Sequence, residues 1–424
     1  MLKRRATILG ATGSVGQTTL NLIEAANKAR DAEIDVVAVT ANSKVTELAK
    51  AAVESGAQFA AIANPHAGED LAAALVGTGI RSAAGSQAIV EAAQMDADWV
   101  MAAIMGAAGI EPLLAAAERG ANIAFANKEC LVCAGDAVLG AMERGGGRLL
   151  PVDSEHNAIF QVFDAERPHR VRKLILTASG GPFRDRDPST LTSVTPEEAV
   201  KHPNWSMGAK ISVDSATMMN KGLERIEAAY LFPVPKEKIE IVVHPQSVIH
   251  SLVDYVDGSV LAQLGTPDMT IPVASALAWP DRIATPAEQL DLIKVRQMDF
   301  FPADEERFPC LRLARESLDE GGLATCVLNA ANEVAVAAFL KGHLAFLDIA
   351  AVTEHCLETV RSNHDSTALD NILATDKLAR EAAWARVETL ADRTRLSPWQ
   401  AWTPRAWPPK CSLRRPRRAE MWRR

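Results

Sequence analysis

The amino-terminal third of the chain alternates short apolar runs with alanine-rich stretches of helical period. Six of these runs have the length of a strand: 6–10, 35–40, 58–62, 98–104, 122–126 and 148–152. Strands separated by helices are typical of a parallel sheet covered on both faces, because parallel neighbours need long crossover connections. We therefore predict an α/β fold that begins with a doubly wound, Rossmann-like domain over 1–152.

The first junction between strand and helix carries a glycine-rich turn. The segment ATILGATGSVGQTTL places Gly10, Gly13 and Gly16 at intervals of three. Glycines at such a junction permit a tight turn and let the backbone approach a pyrophosphate at the helix N-terminus. The spacing is GxxGxxG and not the commoner GxGxxG, but its position favours dinucleotide binding over a purely structural turn.

The second predicted strand indicates which dinucleotide is bound. An NAD-binding fold usually carries an acid near the end of this strand, and Asp35 comes too early in EIDVVAVTANSK for that role. Asn42, Ser43 and Lys44 follow the strand, and neutral or cationic donors suit a 2′-phosphate. The sequence therefore favours NADPH over NADH.

The sequence pattern of the remaining residues, 153–424, divides them into four segments. Residues 153–278 hold four further strand-like runs between helical stretches, including an Asp-Gly hairpin signal, so we predict a central α+β catalytic domain. A segment with prolines, 279–304, is predicted to be a linker, and 305–392 to be a small helical domain. The basic segment 393–424 lacks any helical or strand period, and we predict that it is disordered.

Charge and composition restrict the possible partners. The formal net charge of −8 disfavours nucleic acid as the main partner. No apolar run approaches the length of a membrane span, and MLKRR leads directly into the first strand, so we expect a cytoplasmic protein without membrane association. The CxxC of Cys130 and Cys133 has no second ligand pair, and we interpret it as part of a buried helix.

Two carboxylates lie close together in PVDSEHNAIF. Asp153 and Glu155 follow a short apolar run, and if 153–155 is extended both side chains project from one side. Hard oxygen donors at this spacing suit Mg²⁺ or Mn²⁺, and Glu224 in MMNKGLE is a candidate third ligand. An isolated DxE is more often a pair of surface acids, so the surrounding residues decide the interpretation.

The central segment also gathers side chains that suit a phosphate monoester. Ser179 stands beside two glycines in TASGGPFR, where backbone N–H groups can meet an anion. The segment 202–224 supplies hydroxyl, amide and cationic donors for phosphate oxygens. Trp205, in a loop-like context, is equally compatible with core packing and with covering a small substrate.

These motifs, together with ANKECL and VVHPQSVIHS, closely resemble the 1-deoxy-D-xylulose 5-phosphate reductoisomerase family from about residue 5 to about 390. The resemblance implies NADPH-dependent rearrangement and reduction of 1-deoxy-D-xylulose 5-phosphate to 2-C-methyl-D-erythritol 4-phosphate, in non-mevalonate isoprenoid biosynthesis. A divalent metal, Mn²⁺ or Mg²⁺, would chelate the hydroxyketone of this phosphorylated substrate. The resemblance also implies a homodimer and a mobile loop, 185–209, that closes over the site.

The resemblance implies roles for individual residues as well. The metal ligands would be Asp153, Glu155 and Glu224. The cofactor contacts would be Thr12, Gly13, Ser14, Val15, Asn42, Ser43, Lys44, Asn127, Glu129 and Gly208. The substrate contacts would be Lys128, Ser154, Glu155, Ser179, His202, Trp205, Ser215, Asn220, Lys221 and Glu224. Lys128 and Glu155 would also take part in catalysis.

Two other interpretations remain open at this point. An aspartate-semialdehyde or homoserine dehydrogenase type would share the domain plan. An acyl-enzyme semialdehyde dehydrogenase, however, needs a nucleophilic cysteine in the catalytic domain, and none lies between 134 and 309. A module that binds NADPH for redox sensing would have no use for three carboxylates, a lysine and phosphate ligands. Metal-dependent oxidation of NADPH would distinguish these possibilities.

Overall fold

The computed structural model describes residues 2–205 and 207–396. The strands are β1 (Leu2–Leu9), β2 (Ala32–Ala41), β3 (Phe59–Ile62), β4 (Arg81–Ala84), β5 (Trp99–Ala102), β6 (Asn122–Phe125), β7 (Leu149–Pro151), β8 (Val171–Ala178), β9 (Ile239–Val243), β10 (Ile249–Tyr255), β11 (Val260–Leu264) and β12 (Phe301–Pro302). The α-helices are α1 (Ser14–Ala29), α2 (Val45–Ser55), α3 (Gly68–Ala74), α4 (Ser86–Gln94), α5 (Ile110–Glu118), α6 (Lys128–Gly145), α7 (Ser154–Val162), α8 (Pro196–Ala199), α9 (Ala209–Ala216), α10 (Met219–Leu231), α11 (Thr270–Ala278), α12 (Leu292–Val295), α13 (Pro309–Glu320), α14 (Ala324–Leu340), α15 (Asp348–Thr359) and α16 (Leu369–Leu396).

The first seven strands form one parallel sheet in the order β4-β3-β2-β1-β5-β6-β7. Its central strands are apolar and buried because helices cover both faces, which is why they read as continuous runs in the sequence. The strand order reverses between β1 and β5, so a crevice opens at the carboxyl ends of these two strands. The predicted doubly wound sheet is confirmed. The prediction lacked β4, whose half-exposed Arg-Ser-Ala-Ala has no apolar run.

A second sheet has the order β11-β10-β8-β9-β12, with β8 and β9 parallel and the other neighbours antiparallel. The predicted Asp-Gly hairpin joins β10 to β11, and Gly258 takes the positive φ of 89° that this turn requires. The predicted linker, 279–304, is not wholly a linker, because Phe301 and Pro302 pair with Val243 and Val242 at the sheet edge. An edge strand of two residues accommodates proline, which cannot donate into a central ladder.

Helices α13 to α16 lie at the carboxyl end of the described chain. Helix α14 is buried on almost every side, which explains its nearly unbroken apolar sequence. Gly321 and Gly322, both at positive φ, separate it from α13 within what the sequence presents as one helical stretch. The predicted disorder of 393–424 falls largely outside the described residues, but 393–396 continue α16 and are helical.

Helix α6 joins the dinucleotide fold to these carboxyl-terminal helices. Cys130 and Cys133 are buried in α6 as expected, and Asn329 of α14 donates to Cys133 Sγ at 3.4 Å. Within 2–205 and 207–396, no helix combines the length and apolarity needed to cross a membrane.

Candidate active site

A cavity lies where the crevice of the first sheet meets the second sheet. Its wall is built from the start of α1, the starts of α6 and α7, the loop after β8, the segment before α9, and parts of α9 and α10. Predicted site residues in this wall are Ser14, Val15, Lys128, Asp153, Ser154, Glu155, Ser179, His202, Trp205, Gly208, Ser215, Asn220, Lys221 and Glu224. The chain thus brings all of the predicted substrate and metal residues together with three of the predicted cofactor residues, Ser14, Val15 and Gly208.

Asp153 and Glu155 converge through the start of a helix and not through an extended strand. Asp153 is the N-cap of α7, and its carboxylate accepts the backbone N–H of Glu155 at 3.4 Å. The expectation of an extended 153–155 is therefore wrong, because an aspartate in this position caps the orphan N–H groups of a new helix. Glu224 arrives from α10, and one oxygen of each of these three carboxylates lies within 4.8 Å of the others.

Two buried lysines neutralise the carboxylate cluster. Lys128 Nζ lies 2.6 Å from Asp153 Oδ2 and 3.1 Å from Glu224 Oε1, and it donates to Asn220 Oδ1 at 2.9 Å. Lys221 Nζ donates to Glu155 Oε1 at 2.8 Å and also to Glu224. Burial of so many charges is tolerable only because each charge faces an opposite one.

The same contacts shift the pKa values of the cluster in opposite directions. Burial acts to raise the pKa of Asp153, but Lys128, His156 and Lys221 together hold it well below its usual range. Burial, with the carboxylates of Asp153 and Glu155, raises the pKa of Glu224 to about 7. The site therefore holds one firmly ionised carboxylate beside one that exchanges its proton near neutral pH.

The donor set fits a hard divalent cation. Three carboxylates with converging oxygens are the ligands that Mg²⁺ and Mn²⁺ prefer, and they lie on the wall of an accessible cavity. A metal ion bound by Asp153, Glu155 and Glu224 would compete with the ammonium groups of Lys128 and Lys221, since both touch these same carboxylates.

A fully buried pair supports the cluster from behind, and sequence reasoning missed it. His156 Nε2 donates to the backbone oxygen of Glu224 at 2.9 Å, and its Nδ1 lies 3.0 Å from Glu227 Oε2. The same Nδ1 lies 3.8 Å from Asp153 Oδ1. Burial opposes protonation, yet Glu227 and Asp153 raise the pKa of His156 to about 9. The available signal was the position of His156 three residues after Asp153 in a helical start.

The loop after β8 and the segment before α9 carry two further predicted substrate ligands, Ser179 and His202. His202 Nδ1 accepts the backbone N–H groups of Asn204 and Trp205, at 3.1 and 2.9 Å, so the proton of the neutral ring lies on Nε2. That nitrogen donates to Ser179 Oγ at 2.9 Å, and burial lowers the pKa of His202. The hydroxyl of Ser179 is thereby oriented, and it accepts the N–H of Gly181 at 3.1 Å.

Trp205 belongs to the cavity wall and not to the apolar core. Its indole ring lies 6.2 Å from the ring of His250, and both residues line the cavity. Sequence reasoning missed His250 although it quoted the segment that contains it. The other lining residues that it did not select are Ala126, Thr177, Ala178, Gly180, Met207, Ile211, Met218, Ser247, Ile249 and Met269. Most of these are apolar, and apolar cavity residues carry no sequence signal that separates them from core residues.

The glycine turn fits a dinucleotide pyrophosphate. Gly10 has a φ of 90°, and a Cβ there would lie 2.6 Å from the backbone oxygen of Ala103. A Cβ on Gly16 would lie 2.3 Å from the oxygen of Gly10, so both glycines are required by the close packing of this turn. Helix α1 begins after Gly13 without a side-chain cap, which leaves N–H groups at Ser14 and Val15 for an anion.

The remaining predicted cofactor residues lie outside the cavity wall. Thr12 and Gly13 belong to the glycine turn, and Asn42, Ser43 and Lys44 follow β2 at the same edge of the sheet. Asn127 donates to the oxygen of Gly106 at 3.0 Å, whereas its own Oδ1 is buried without a partner among the described residues. That oxygen is an acceptor available to a ligand. Glu129 contacts Lys210 at 3.0 Å and does not line the cavity.

The dinucleotide turn opens onto three carboxylates and a set of phosphate-type donors. This arrangement defines an NADP-dependent, metal-assisted oxidoreductase. Comparison with known proteins gives the particular family. The sequence model of 1-deoxy-D-xylulose 5-phosphate reductoisomerase matches residues 6–135. Two models of carboxyl-terminal domains of the same enzyme match 149–232 and 264–382. The chain belongs to the 1-deoxy-D-xylulose 5-phosphate reductoisomerase family.

Individual relatives are similar in sequence to this chain over nearly their whole length. The reductoisomerase of Zymomonas mobilis is 55% identical over 387 residues, which are 91% of this chain and 98% of that protein. The reductoisomerase of Rhodospirillum centenum is 57% identical over 90% of this chain and 93% of its own length. The predicted family and the predicted class of enzyme are confirmed.

Solved structures agree in fold. The Z. mobilis enzyme in complex with NADPH has a TM-score of 0.86 at 52% identity, covering 91% of this chain and all of that one. A reductoisomerase in complex with NADPH, fosmidomycin and magnesium has a TM-score of 0.87 at 42% identity, covering 92% of this chain and 99% of that one. The predicted fold class is confirmed, and the predicted reaction and cofactors are those of the family.

Proposed function

We propose that this chain converts 1-deoxy-D-xylulose 5-phosphate into 2-C-methyl-D-erythritol 4-phosphate with NADPH and a divalent metal. One observation carries the proposal: Asp153, Glu155 and Glu224 converge within 4.8 Å in a cavity that also contains Lys128 and the phosphate-type donors. An α-hydroxyketone that carries a phosphate needs both features, one at each end of the molecule. The similar structures that contain NADPH and magnesium support the same cofactors.

The carboxylate end of the cavity is assigned to the reacting carbons. Asp153, Glu155 and Glu224 would hold the metal, which when bound supplies Lewis acidity to adjacent substrate oxygens. Lys128 is buried beside these carboxylates and places a further positive charge where negative charge builds on oxygen. Glu155 accepts a hydrogen bond from Ser154 at 2.5 Å, and its carboxylate is our candidate for moving a proton of the substrate hydroxyl.

The wall that adjoins this cluster is assigned to the phosphate, because Asn220 and Lys221 contact the carboxylate cluster themselves. Ser179, Ser215, Asn220 and Lys221 offer hydroxyl, amide and ammonium donors in the same wall. His202 fixes the hydroxyl of Ser179, and Trp205 covers the cavity from the segment before α9. Binding energy from a phosphate remote from the reacting carbons can orient the substrate and exclude water. Closure of the loop 185–209 remains a prediction.

The cofactor is assigned to the crevice between β1 and β5. The uncapped start of α1 would hold the pyrophosphate, and Asn42, Ser43 and Lys44 would face the 2′-phosphate. Asn127, with its open Oδ1, and Glu129 would lie at the nicotinamide end, next to Lys128. NADPH, when bound there, supplies the hydride that reduces the rearranged substrate.

The test is loss of NADPH absorbance with 1-deoxy-D-xylulose 5-phosphate, measured with Mn²⁺ present and after its chelation. We expect turnover only with the metal. Oxidation of NADPH that persists after chelation would remove the carboxylate cluster from the reaction. A folded chain that binds NADPH but shows no turnover under either condition would refute the proposed substrate.

We also propose a homodimer that pairs through the second sheet. Its face opposite α7 carries half-buried Ile175, Leu252 and Ala262 side by side in register, with Val260 about half exposed. An apolar strip of this kind, bordered by Glu240 in register with Ile175, is a suitable surface for a second copy. Light scattering should give a mass twice that of one chain. The variant Leu252→Glu should have a lower mass than the parent. A parent chain that is monomeric would refute the proposal. The cytoplasmic location and the domain bounds remain predictions.

A further inference from the structure

Lys210 occupies a position that helix physics disfavours. It is the second residue of α9, where the helix dipole repels a cation, and it precedes its partner Asp214 in the less favourable i,i+4 order. About two thirds of its side chain is also removed from solvent. Positions that break local rules are often retained for a role in the site.

Two carboxylates from different parts of the chain compensate this placement. Lys210 Nζ lies 3.0 Å from Glu129 Oε1 on α6 and 2.9 Å from Asp214 Oδ2 on its own helix. Asp214 is buried, and its other oxygen accepts the side-chain amide of Asn332, on α14, at 2.8 Å. A continuous series of polar contacts thus joins the dinucleotide fold, the catalytic segment and the carboxyl-terminal helices.

This series lies directly behind the cavity wall. Glu129 follows Lys128 in the chain, and Lys210 stands between Gly208 and Ile211. Lys128, Gly208 and Ile211 line the cavity, whereas Lys210 and Glu129 do not. The ion pair therefore links the start of α6 to the start of α9, which are two walls of one site.

We infer that Lys210 is a positioning residue for the nicotinamide end of bound NADPH and acts on that site through Glu129. Glu129 is two residues from Asn127, whose buried Oδ1 has no partner among the described residues, so the ion pair orients the same stretch of backbone. The inference rests on the proposed function only in taking NADPH as the cofactor.

The charge of Lys210 is secure under ordinary conditions. Burial acts against protonation, but Asp214 and Glu129 hold the pKa of Lys210 far above its usual value. Burial likewise acts to raise the pKa of Glu129, yet Lys210 lowers it below its usual value. Both partners are therefore ionised at neutral pH, and the contact with Glu129 persists as an ion pair.

The test measures NADPH binding directly, by cofactor fluorescence in the absence of substrate. Lys210→Gln should weaken NADPH binding roughly tenfold, the size of coupling that contacting ion pairs can show. Lys210→Arg, which keeps the charge and the reach, should recover most of the affinity. The matched control is Lys236→Gln, because Lys236 has a side chain of equal 33% exposure in an ion pair with Asp319. That control should bind NADPH like the parent.

A double-mutant cycle separates positioning from general destabilisation. Glu129→Gln should weaken NADPH binding, and adding Lys210→Gln should cause little further loss if the lysine acts through Glu129. If the two substitutions instead weaken NADPH binding independently, so that their fold-losses multiply in the double variant, the inference is overturned. It is also overturned if Lys210→Gln weakens Mn²⁺ binding as much as it weakens NADPH binding. A parent chain that binds no NADPH would also overturn it. A parent that binds NADPH without turnover would refute the proposed reaction and leave this inference standing.

Discussion

The ammonium group of Lys128 lies 2.6 Å from Asp153 Oδ2, inside the carboxylate cluster that is proposed to bind the metal. The same nitrogen lies 3.1 Å from Glu224 Oε1, so it bridges two of the three proposed ligands. A divalent cation bound to these oxygens would repel this ammonium at short range. Lys128 is thus a counter-ion of the cluster, and we expect it to face the substrate oxygens when the metal is bound.

This relationship predicts that Lys128→Gln separates metal binding from turnover. Removing the ammonium leaves the cluster one unit more negative, so Mn²⁺ should bind several-fold more tightly, since charges at this distance interact strongly even at an effective dielectric of about 20. Turnover should fall by about a hundredfold or more, because charge developing on oxygen loses a cation. Mn²⁺ titration and steady-state kinetics on the same sample measure both, and weaker Mn²⁺ binding would contradict the counter-ion role.

Asp153→Asn should have the opposite effect on the metal. An amide oxygen replaces the most acidic carboxylate of the cluster, so Mn²⁺ affinity should fall at least about tenfold. NADPH affinity should stay near that of the parent, because the glycine turn lies on separate elements. The matched control is Asp319→Asn, which removes a half-exposed carboxylate that pairs with Lys236. Unchanged Mn²⁺ affinity in Asp153→Asn would exclude Asp153 as a ligand.

The sequence predicted the strands and the residue types of this site better than it predicted the geometry of the site. The apolar runs located six of the seven parallel strands, and β4 escaped because Arg81–Ala84 has no apolar signal. Asp153 and Glu155 were recognised as a pair, but their convergence comes from a helix cap and not from strand alternation. The local sequence shows the residue types and their spacing. It does not show that β7 ends at Pro151, so that Asp153 caps a helix and does not continue the strand.

Contacts between distant elements could not be predicted where the family resemblance assigned no shared role. The bridge from Lys128 to Glu224 depends on how α6 packs against α10, and the pair of His156 and Glu227 depends on α7 against α10. The contact of Lys210 with Glu129 likewise requires two helix starts to meet. Such contacts follow from tertiary packing, which spacing along one sequence does not encode.

The pKa of Glu224 predicts a pH dependence of metal binding. Burial and the neighbouring carboxylates raise this pKa to about 7, so the metal-free site carries a proton below that pH. The metal binds the ionised carboxylate, and binding at lower pH must release the proton. The Mn²⁺ affinity should therefore increase with pH, by up to about tenfold per pH unit. It should level off above about pH 7. Calorimetry in buffers of different ionisation enthalpy would measure the released proton, and a flat profile would contradict this prediction.

A chain that ends at Leu396 should retain full activity. The family models match no residue beyond 382, and the described part of α16 packs against α14 through buried Ala379 and Ala383. Removing 397–424 leaves these contacts intact, so turnover and the thermal midpoint should equal those of the full chain. Kinetics and a thermal melt of both chains provide the comparison. A large loss of turnover at an unchanged midpoint would show that the tail contributes to the site.

Lys221→Ala should weaken the substrate far more than the cofactor. Lys221 lines the cavity and is buried between Glu155 and Glu224, so it is the cation best placed to meet a phosphate when the metal occupies the carboxylates. The KM for 1-deoxy-D-xylulose 5-phosphate should rise by about tenfold or more, whereas NADPH affinity should change little, because a charge-assisted contact is typically worth about 1.5–3 kcal/mol. Lys221→Arg should recover part of the loss, since it keeps the charge but not the point geometry of an ammonium. An equal loss of both affinities would mean that Lys221 supports the fold of the cluster and does not bind the phosphate.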